Sequence, residues 1–459
     1  MLFKIEDLEQ FFDKSRGNVD NAKVIDSVNT DSRKVAPQSL FIPIVGETFN
    51  GHDYVEQAIE NGAVAVVWDE KEELPTSIPA DFPVFFTRDT IESLQKIAKG
   101  YRDLIQPIVI GITGSNGKTT TKDLVAAIMK TTYRTHSTLG NLNNHIGLPL
   151  TILSMPGDTE LLVLEMGMSG FDEIDVLTRI GRPDYAIITN VGESHIEFLG
   201  SREGIAKAKL EIVNGIKEQG MLIIDGDEPL LKEIHTNEAL KTKKVGFHDG
   251  NDYQIKGVDI TIKGTTFMVE NGETYQIPLF GRHHAKNASF ALVLAEQLNI
   301  SIEKQKEGLQ SLEHTSMRFE LLKARNESFV VDDSYNASPT SMKGAIEIIK
   351  HMEDFKKKIL VLGDVLELGS FAEKMHRDIA SSISEPITHL YTYGASAAYI
   401  TDEISDNRTG IHTAHYQSKE MLVEDLKSHL DKNTIVLFKA SRGLAFESMV
   451  EKLITDDRI

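Results

Sequence analysis

The sequence predicts an α/β protein with three domains built on parallel sheets. Its 459 residues exceed what one hydrophobic core usually holds. Short apolar, β-branched runs alternate with helical patterns, which is typical of parallel sheets covered by helices. We place a small amino-terminal α/β domain at residues 1–98, a central P-loop domain with a parallel sheet at 99–314, and a Rossmann-like carboxy-terminal domain at 315–459.

The composition is that of a globular protein with a strong negative charge. Lys and Arg number 49 against 69 Asp and Glu, which gives a net charge of -20. This balance disfavours a general nucleic-acid surface, so we expect no nucleic-acid partner. The sequence contains no cysteine, which fits a reducing compartment. No run reaches the ~20 apolar residues that a membrane span needs. We therefore expect a cytoplasmic protein without membrane insertion.

The amino-terminal region predicts strands at residues 24–30, 39–45, 63–68 and 84–87, with a helix at 54–61. Ser32 and Arg33 follow the first of these strands. At a strand end they could hold a phosphate, or they could form a capped turn with a solvated arginine.

The central region begins with a candidate phosphate cradle. A β-branched run at residues 108–112 predicts a buried strand, and the turn after it leads into a helix that starts near Lys118. Gly114 and Gly117 allow backbone N–H groups to point at one anion, and the helix N-terminus adds its positive end. Lys118 would reach the outer phosphates and the Thr119 hydroxyl would bind Mg²⁺. The alternative is a glycine-rich turn that binds nothing.

Polar residues follow the next predicted strands of the central region. Glu165 ends one apolar run, while Asn190 and His195 follow another. Ligands of open parallel sheets lie beyond the carboxyl ends of the strands, so we expect these side chains near Lys118 and Thr119. A carboxylate and an imidazole beside phosphates predict a Mg²⁺ site.

Two helices and a second sheet complete the pattern. Residues 204–212 predict an amphipathic helix. Lys209 lies on it, and a lysine on such a helix is expected to belong to a basic face exposed to solvent. A helix at 281–296 carries His284 and Asn287 in its first turns. Strands and helices alternate again in the last region, which predicts a second doubly wound sheet.

These segments together resemble the ATP-dependent Mur ligases of peptidoglycan synthesis. The resemblance covers all three regions and depends on GSNGKTT (114–120), NLNNHIGLP (141–149), EMG (165–167), NVGESHIE (190–197), AKAKLEI (206–212), GRHHAKN (281–287), MRFE (317–320), DDSYNASP (332–339), LGDVLELG (362–369) and KASRG (439–443).

The resemblance implies a reaction in which ATP activates a peptide carboxylate as an acyl phosphate, which an amine then attacks. The segments at 332–339 and 362–369 favour the branch that joins D-alanyl-D-alanine to UDP-N-acetylmuramoyl-tripeptide. Alternatives are a sister ligase that adds one amino acid or extends a folate with glutamate, and a nucleotide-gated switch without ligase activity. We expect a monomer whose domains close around ATP.

The resemblance also implies roles for individual residues. ATP would be bound by Gly114, Ser115, Asn116, Gly117, Lys118, Thr119, Thr120, Asn287, Arg318 and Asp333. Two Mg²⁺ ions would be held by Thr119, Glu165, His195 and Lys209, of which the last three form the catalytic set with Lys118. It implies that Lys209 is carbamylated, which replaces the solvated-face interpretation. Ser32 and Arg33 would bind the uridine-diphosphate end, and further substrate contacts would come from Asn144, Asn336, Lys439 and Arg442. His284 stands where the family often has Asn, which leaves its contact open.

Overall fold

The computed structural model describes residues 2–19, 23–232, 240–261, 263–312, 317–324, 326–407 and 410–454. Three main sheets, one in each predicted region, are largely parallel, so the predicted α/β fold class is confirmed. Within the described residues, no helix combines the length and the apolar character needed to cross a membrane.

The amino-terminal domain contains a five-stranded sheet in the order β2-β7-β6-β5-β4 and a small β1-β3 pair. The elements are β1 (Phe3–Lys4), β2 (Lys14–Arg16), β3 (Val24–Ile25), β4 (Ser27–Asn29), β5 (Ser39–Phe41), α1 (Val55–Glu60), β6 (Ala63–Asp69), β7 (Val84–Thr87) and α2 (Thr90–Ile105).

Helix α2 joins this domain to the next one. Asp89 caps its first turn by accepting a hydrogen bond from the backbone N–H of Glu92. Its Tyr101 hydroxyl donates to the carbonyl of Met155 at 3.0 Å, and Arg102 donates to the carbonyl of Ile180. Residue 98, where we predicted the boundary, lies inside this helix, and α2 contacts elements of both domains.

The central domain contains a nine-stranded sheet in the order β16-β15-β14-β13-β12-β11-β8-β10-β9. Its elements are β8 (Ile108–Thr113), α3 (Lys118–Lys130), β9 (Thr135–Ser137), α4 (Gly147–Leu153), β10 (Leu161–Glu165), α5 (Glu173–Gly181), β11 (Tyr185–Ile188), α6 (Ile196–Leu199), α7 (Arg202–Leu210), β12 (Met221–Asp225), α8 (Pro229–Lys232), β13 (Lys241–Gly246), β14 (Tyr253–Thr261), β15 (Gly264–Val269), β16 (Thr274–Ile277), α9 (Arg282–Gln297) and α10 (Ile302–Gln310).

Both faces of this sheet are covered, which explains why its inner strands are apolar at successive positions. On β10, Val163 packs into a core with residues of α3 and α9, whereas Leu162 and Leu164 face a second core that α5 and α7 complete. Strands β8, β10, β11 and β12 run parallel, so their carboxyl ends lie at one edge.

The carboxy-terminal domain contains a six-stranded sheet in the order β17-β18-β22-β19-β20-β21, parallel except for the β17 edge. The predicted join at residues 314 and 315 lies outside the described residues. The elements are β17 (Glu320–Lys323), β18 (Phe329–Asp332), α11 (Pro339–His351), β19 (Lys357–Gly363), α12 (Ala372–Ile379), β20 (His389–Tyr393), α13 (Ala398–Asn407), β21 (His412–Tyr416), α14 (Lys419–His429), β22 (Thr434–Lys439) and α15 (Glu447–Val450).

The carboxy-terminal domain contacts the edge of the central sheet where the parallel strands end. The Ser338 hydroxyl, at the start of α11, donates to Asn116 at 3.1 Å. The Thr340 hydroxyl donates to Glu193 at 2.7 Å. The two domains therefore border a common cleft.

Candidate active site

The turn between β8 and α3 has two glycines that no larger residue could replace without strain. Gly114 has a φ of +154°, and a Cβ there would lie 1.8 Å from the Thr189 hydroxyl. Gly117 has a φ of +78°, and a Cβ there would lie 3.0 Å from the Asn287 side chain. The glycines allow the turn to lie against both neighbours, and they leave backbone N–H groups at the N-terminus of α3.

The segment after β11 holds this turn in place. The Asn190 side chain accepts a hydrogen bond from the Asn116 N–H at 2.9 Å and donates to the Asn116 carbonyl at 2.8 Å. The Ser115 hydroxyl accepts from the Gly192 N–H at 2.8 Å. Since the backbone of the turn is fixed before any ligand arrives, little reorganisation is needed on binding.

Lys118 folds back over the turn, and its ammonium donates to the Gly114 carbonyl at 2.8 Å. Burial lowers the pKa of Lys118, and the positive charge of Arg318 lowers it further, while the charge of Glu165 raises it. The influence of Arg318 places a charge of the carboxy-terminal domain near the P-loop. Thr119 and Thr120 follow Lys118 in the first turn of α3.

Glu165 lies at the end of β10, next to Ile112 of β8 in the parallel register, and is 2% exposed. One carboxylate oxygen accepts a hydrogen bond from the Asn143 amide at 2.8 Å. The other oxygen, Oε2, is buried without a hydrogen-bond partner. A buried, unsatisfied carboxylate oxygen is unfavourable unless a cation neutralises it.

Lys209 contradicts the solvated-face interpretation of its helix. It lies on α7 and is 2% exposed, whereas Lys207 of the same helix is exposed. Burial, and then the charge of Lys118, hold the pKa of Lys209 well below its usual range. No carboxylate within the described part of the chain forms an ion pair with it. Burial without a paired carboxylate therefore favours the neutral, nucleophilic form of the amine.

His195 precedes α6 with a φ of +64°, a left-handed backbone that a residue with a Cβ rarely adopts. Its Nδ1 lies 2.6 Å from Oε2 of Glu367, which belongs to the carboxy-terminal domain. Burial lowers the pKa of His195; the Glu367 carboxylate opposes this effect, and Lys118 and Lys209 add to it. His195 is thus close to both lysines and to the other domain.

On the carboxy-terminal side, Lys439 and Asp333 form a buried pair 2.6 Å apart. The same ammonium donates to the Asn336 carbonyl at 3.1 Å. The guanidinium of Arg318 stacks on Tyr335, with Cζ 4.0 Å from the ring centre, and its Nε is buried without a partner. These contacts fix the loop after β18.

A cavity of about 150 Å³ lies between the two domains. The central domain contributes Ser194 and His195, and the carboxy-terminal domain contributes three loops, at residues 336–339, 365–368 and 441–443. Asn336 and Arg442, both predicted as substrate contacts, are among the lining residues. Arg442 is half-exposed and pairs with Glu447 at 3.0 Å.

Several predicted site residues have local roles in the structure. The Asn144 side chain accepts a hydrogen bond from the Gly147 N–H at 2.8 Å, in the turn that leads into α4. Asp31 caps the turn that contains Ser32 and Arg33, and the Arg33 side chain is 79% exposed. The Ser32 hydroxyl donates to Gln57 at 2.7 Å. These residues fit the capped-turn interpretation, and their substrate roles stay predictions.

The structure thus brings most of the predicted residues together at one edge of the central sheet. Asn287 lies against Gly117 of the turn, and Arg318 comes close to Lys118. Ser32 and Arg33 lie apart, in the amino-terminal domain. Sequence reasoning missed three contacts of the cleft: Asn143, Ser338 and Glu367.

The donor set at this edge fits a hard divalent cation. The free Oε2 of Glu165 is a carboxylate oxygen of the type that Mg²⁺ prefers, and the Thr119 hydroxyl follows the phosphate-binding turn. Among the described residues, no three His, Asp or Glu side chains gather into a ready-made metal site. A Mg²⁺ ion here would therefore depend on phosphate oxygens and water for the rest of its ligands.

Comparison with known proteins shows similarity to Mur ligases in all three domains. Family descriptions match at residues 24–102 (Mur ligase family, catalytic domain), 112–295 (Mur ligase middle domain) and 317–442 (Mur ligase, glutamate ligase domain). The UDP-N-acetylmuramoyl-tripeptide–D-alanyl-D-alanine ligase of Bacillus subtilis is 47% identical, over 94% of this chain and 93% of its own length.

Solved structures agree. MurF from Acinetobacter baumannii superposes with a TM-score of 0.86 at 27% identity, covering 98% of both chains. MurF from Thermotoga maritima in complex with ADP gives a TM-score of 0.82 at 28% identity, covering 93% of this chain and 96% of that one. This chain belongs to the Mur ligase family.

Proposed function

We propose that this protein is the ATP-dependent ligase that joins D-alanyl-D-alanine to UDP-N-acetylmuramoyl-tripeptide and so forms the UDP-N-acetylmuramoyl-pentapeptide of peptidoglycan synthesis. The observation that carries the proposal is the joint burial of Glu165 and Lys209 next to the Lys118 turn, near a small cavity between the central and carboxy-terminal domains. The activity named for the Bacillus subtilis relative supports the choice of substrates.

The reaction proceeds in two chemical steps. An oxygen of the peptide carboxylate bonds to the γ-phosphorus of ATP as the bond to ADP breaks, which gives an acyl phosphate and ADP. The amine of D-alanyl-D-alanine then bonds to the acyl carbon, phosphate leaves, and the amine loses a proton. In the first step two anions must approach each other, so neutralisation and positioning dominate catalysis.

The chain supplies this neutralisation from one edge of the central sheet. Lys118 would exchange its bond to the Gly114 carbonyl for the outer phosphates, while the backbone N–H groups of the turn bind them. Thr119, Glu165, His195 and Lys209 would hold two Mg²⁺ ions, whose charge supplies the Lewis-acid stabilisation of the transferring phosphoryl group.

Lys209 fits this assignment only if its amine is modified, because Mg²⁺ prefers oxygen ligands over an amine and would be repelled by an ammonium. The neutral amine can add CO₂: nitrogen bonds to carbon, one proton leaves, and an anionic carbamate results. Burial favours the neutral amine needed for that step, and the positive charge of Lys118 stabilises the anion that it produces.

The remaining predicted residues would bind the nucleotide and the other substrate groups. Asn287, Arg318 and Asp333 would contact the nucleotide from both domains, and Ser32 and Arg33 would bind the uridine diphosphate. Asn144, Asn336, Lys439 and Arg442 would contact the remaining substrate groups. The protein would act as a cytoplasmic monomer.

Product formation tests the proposal directly. The full-length protein is incubated with ATP, Mg²⁺, UDP-N-acetylmuramoyl-tripeptide and D-alanyl-D-alanine, with mass spectrometry of the product and an assay of released phosphate. We expect the pentapeptide mass and phosphate release that requires both substrates. Phosphate release with a single amino acid instead of the dipeptide would indicate a sister ligase. Nucleotide binding that Lys118→Ala abolishes, without any carboxylate-dependent turnover in the parent, would indicate a switch.

A further inference from the structure

The contact between His195 and Glu367 crosses the cleft between the central and carboxy-terminal domains. Nδ1 of His195 lies 2.6 Å from Oε2 of Glu367, although the two atoms are not aligned as a hydrogen bond, and the two side chains are 24% and 49% exposed. Both residues line the cavity between the domains. The contact therefore lies at the border of the proposed reaction site.

Both partners have an unfavourable backbone conformation. His195 has a φ of +64° and Glu367 a φ of +61°. A left-handed conformation is unfavourable for a residue with a Cβ, because the Cβ comes too close to the following carbonyl oxygen. Such conformations persist where the surrounding structure enforces them, and they concentrate at functional sites. Two strained residues that meet across a domain border are difficult to explain as a chance surface contact.

The loop that carries Glu367 is fixed from several sides. The Val365 N–H donates to Nε2 of the buried His376 at 3.0 Å, and the Leu366 N–H donates to the Ser441 hydroxyl at 2.9 Å. Asp364 accepts from the backbone N–H of Ala397 at 2.7 Å. The carboxylate is thus presented by a rigid loop, which is the support a positioning group needs.

We propose that Glu367 is a positioning residue for His195: its carboxylate, 2.6 Å from Nδ1, favours the tautomer that carries the hydrogen on that nitrogen and leaves Nε2 with the free lone pair. This inference rests on the proposed function, because it gives the His195 ring its task there. A histidine that binds a metal commonly donates its other ring hydrogen to a carboxylate, which fixes the tautomer and the ring orientation.

The position of Glu367 in the carboxy-terminal domain also links the His195 ring to the arrangement of the two domains. Because the carboxylate belongs to the other domain, His195 receives this partner only when the two domains lie together. The contact therefore couples domain closure to the orientation of a group at the reaction site. Glu197, two residues after His195, supports the coupling, since its backbone N–H donates to the Glu367 carbonyl at 3.4 Å.

The tautomer of His195 is the direct test. Full-length protein is labelled with ¹⁵N-histidine and studied without metal by long-range ¹H–¹⁵N NMR, and the His195 signals are identified with His195→Gln. We expect the Nδ1–H form in the parent and a shift toward the Nε2–H form in Glu367→Ala. Glu373→Gln is the matched control: it removes a carboxylate of the same domain, paired with Arg377 at 3.0 Å, and it should leave the spectrum unchanged.

Kinetics provide the second readout. In Glu367→Ala we expect kcat to fall about 10- to 100-fold with only a small change in the KM for ATP. Glu367→Gln should recover part of that loss, because its amide oxygen still accepts a hydrogen bond. Since Glu367 is half-exposed, neither change removes buried packing, and unchanged thermal unfolding would confirm this.

The possible outcomes separate the two claims. An unchanged His195 spectrum in Glu367→Ala, or a kcat equal to that of the parent, would overturn the positioning role. A parent protein that forms no pentapeptide would reject the proposed function, while the NMR comparison would still decide whether Glu367 sets the tautomer.

Discussion

The side-chain amide of Asn143 donates a 2.8 Å hydrogen bond to Oε1 of Glu165, while Oε2 of the same carboxylate is buried without a partner. The hydrogen bond from Asn143 therefore fixes Oε1 and with it the orientation of the carboxylate, while Oε2 stays free to bind a cation. The Asn143 carbonyl also accepts a hydrogen bond from the Gly167 N–H at 2.8 Å, so the loop and the strand end are joined twice.

The first prediction concerns this amide. Asn143→Ala should raise the Mg²⁺ concentration for half-maximal activity about tenfold, because Glu165 loses the bond that orients it. A Mg²⁺ titration of pentapeptide formation measures the effect. Asn271→Ala, in an exposed turn, is the matched control and should leave the titration unchanged. A normal Mg²⁺ requirement in Asn143→Ala would show that Glu165 needs no such orientation.

Glu165 itself could be predicted from the sequence because it ends an apolar run, and parallel strands bring their ends together. Asn143 could not be chosen over Asn144, since a loop has no periodicity to show which amide points inward. In the structure the Asn144 side chain accepts from the Gly147 N–H at the start of α4, while the Asn143 side chain donates to Glu165.

The burial of Lys209 could not be predicted from the sequence, for a different reason. The periodicity of a short helix does not reveal what packs on it, and the default for a lysine is a solvated face. Glu367 lies in a distant loop, and its meeting with His195 depends on how two domains dock. The P-loop, by contrast, can be predicted directly, because its residues are contiguous in the sequence.

The second prediction tests the chemistry of Lys209. Exposure of the protein to ¹³C-labelled bicarbonate should give a carbamate carbon signal in ¹³C NMR of the parent. Lys209→Arg should lack the signal and should lose activity by about 100-fold or more, because a guanidinium stays protonated and forms no carbamate. Lys207→Arg, on the exposed face of the same helix, should keep both. A signal that survives in Lys209→Arg would place the carbamate elsewhere.

The third prediction concerns the geometry of the P-loop. Gly117→Ala should destabilise the protein by about 1–2 kcal/mol, because its φ of +78° is unfavourable for a Cβ that also meets Asn287 at 3.0 Å. ATP affinity, measured by calorimetry, should fall with it. Gly344→Ala is the opposite case: Gly344 lies within α11 with open space around its Cβ position, so the change should stabilise the helix by about 0.5–1 kcal/mol. An unaffected ATP affinity in Gly117→Ala would argue against phosphate binding at this turn.

The last prediction concerns acid stability, which depends on a histidine cluster remote from the cleft. The rings of His412 and His429 lie 5.4 Å and 4.8 Å from that of His389, at the amino-terminal end of β20 and beside α14. Burial, followed by the charges of these two histidines and Lys357, lowers the pKa of His389 to about 4, although Asp425 opposes the shift.

A histidine whose pKa is lower in the folded state binds more protons when unfolded. Its neutral form therefore stabilises the fold above the unfolded pKa near 6.5, and this contribution is lost as the pH falls toward 4. We expect β20 to lose about 1–2 kcal/mol of protection over that window, a value reduced for partial solvent screening. Hydrogen exchange of peptides from β20 measures the loss in the full-length protein, region by region. His389→Gln should flatten the pH dependence, whereas His351→Gln, on the exposed side of α11, should retain it. If His389→Gln and the parent lose protection equally, the acid sensitivity arises from other groups.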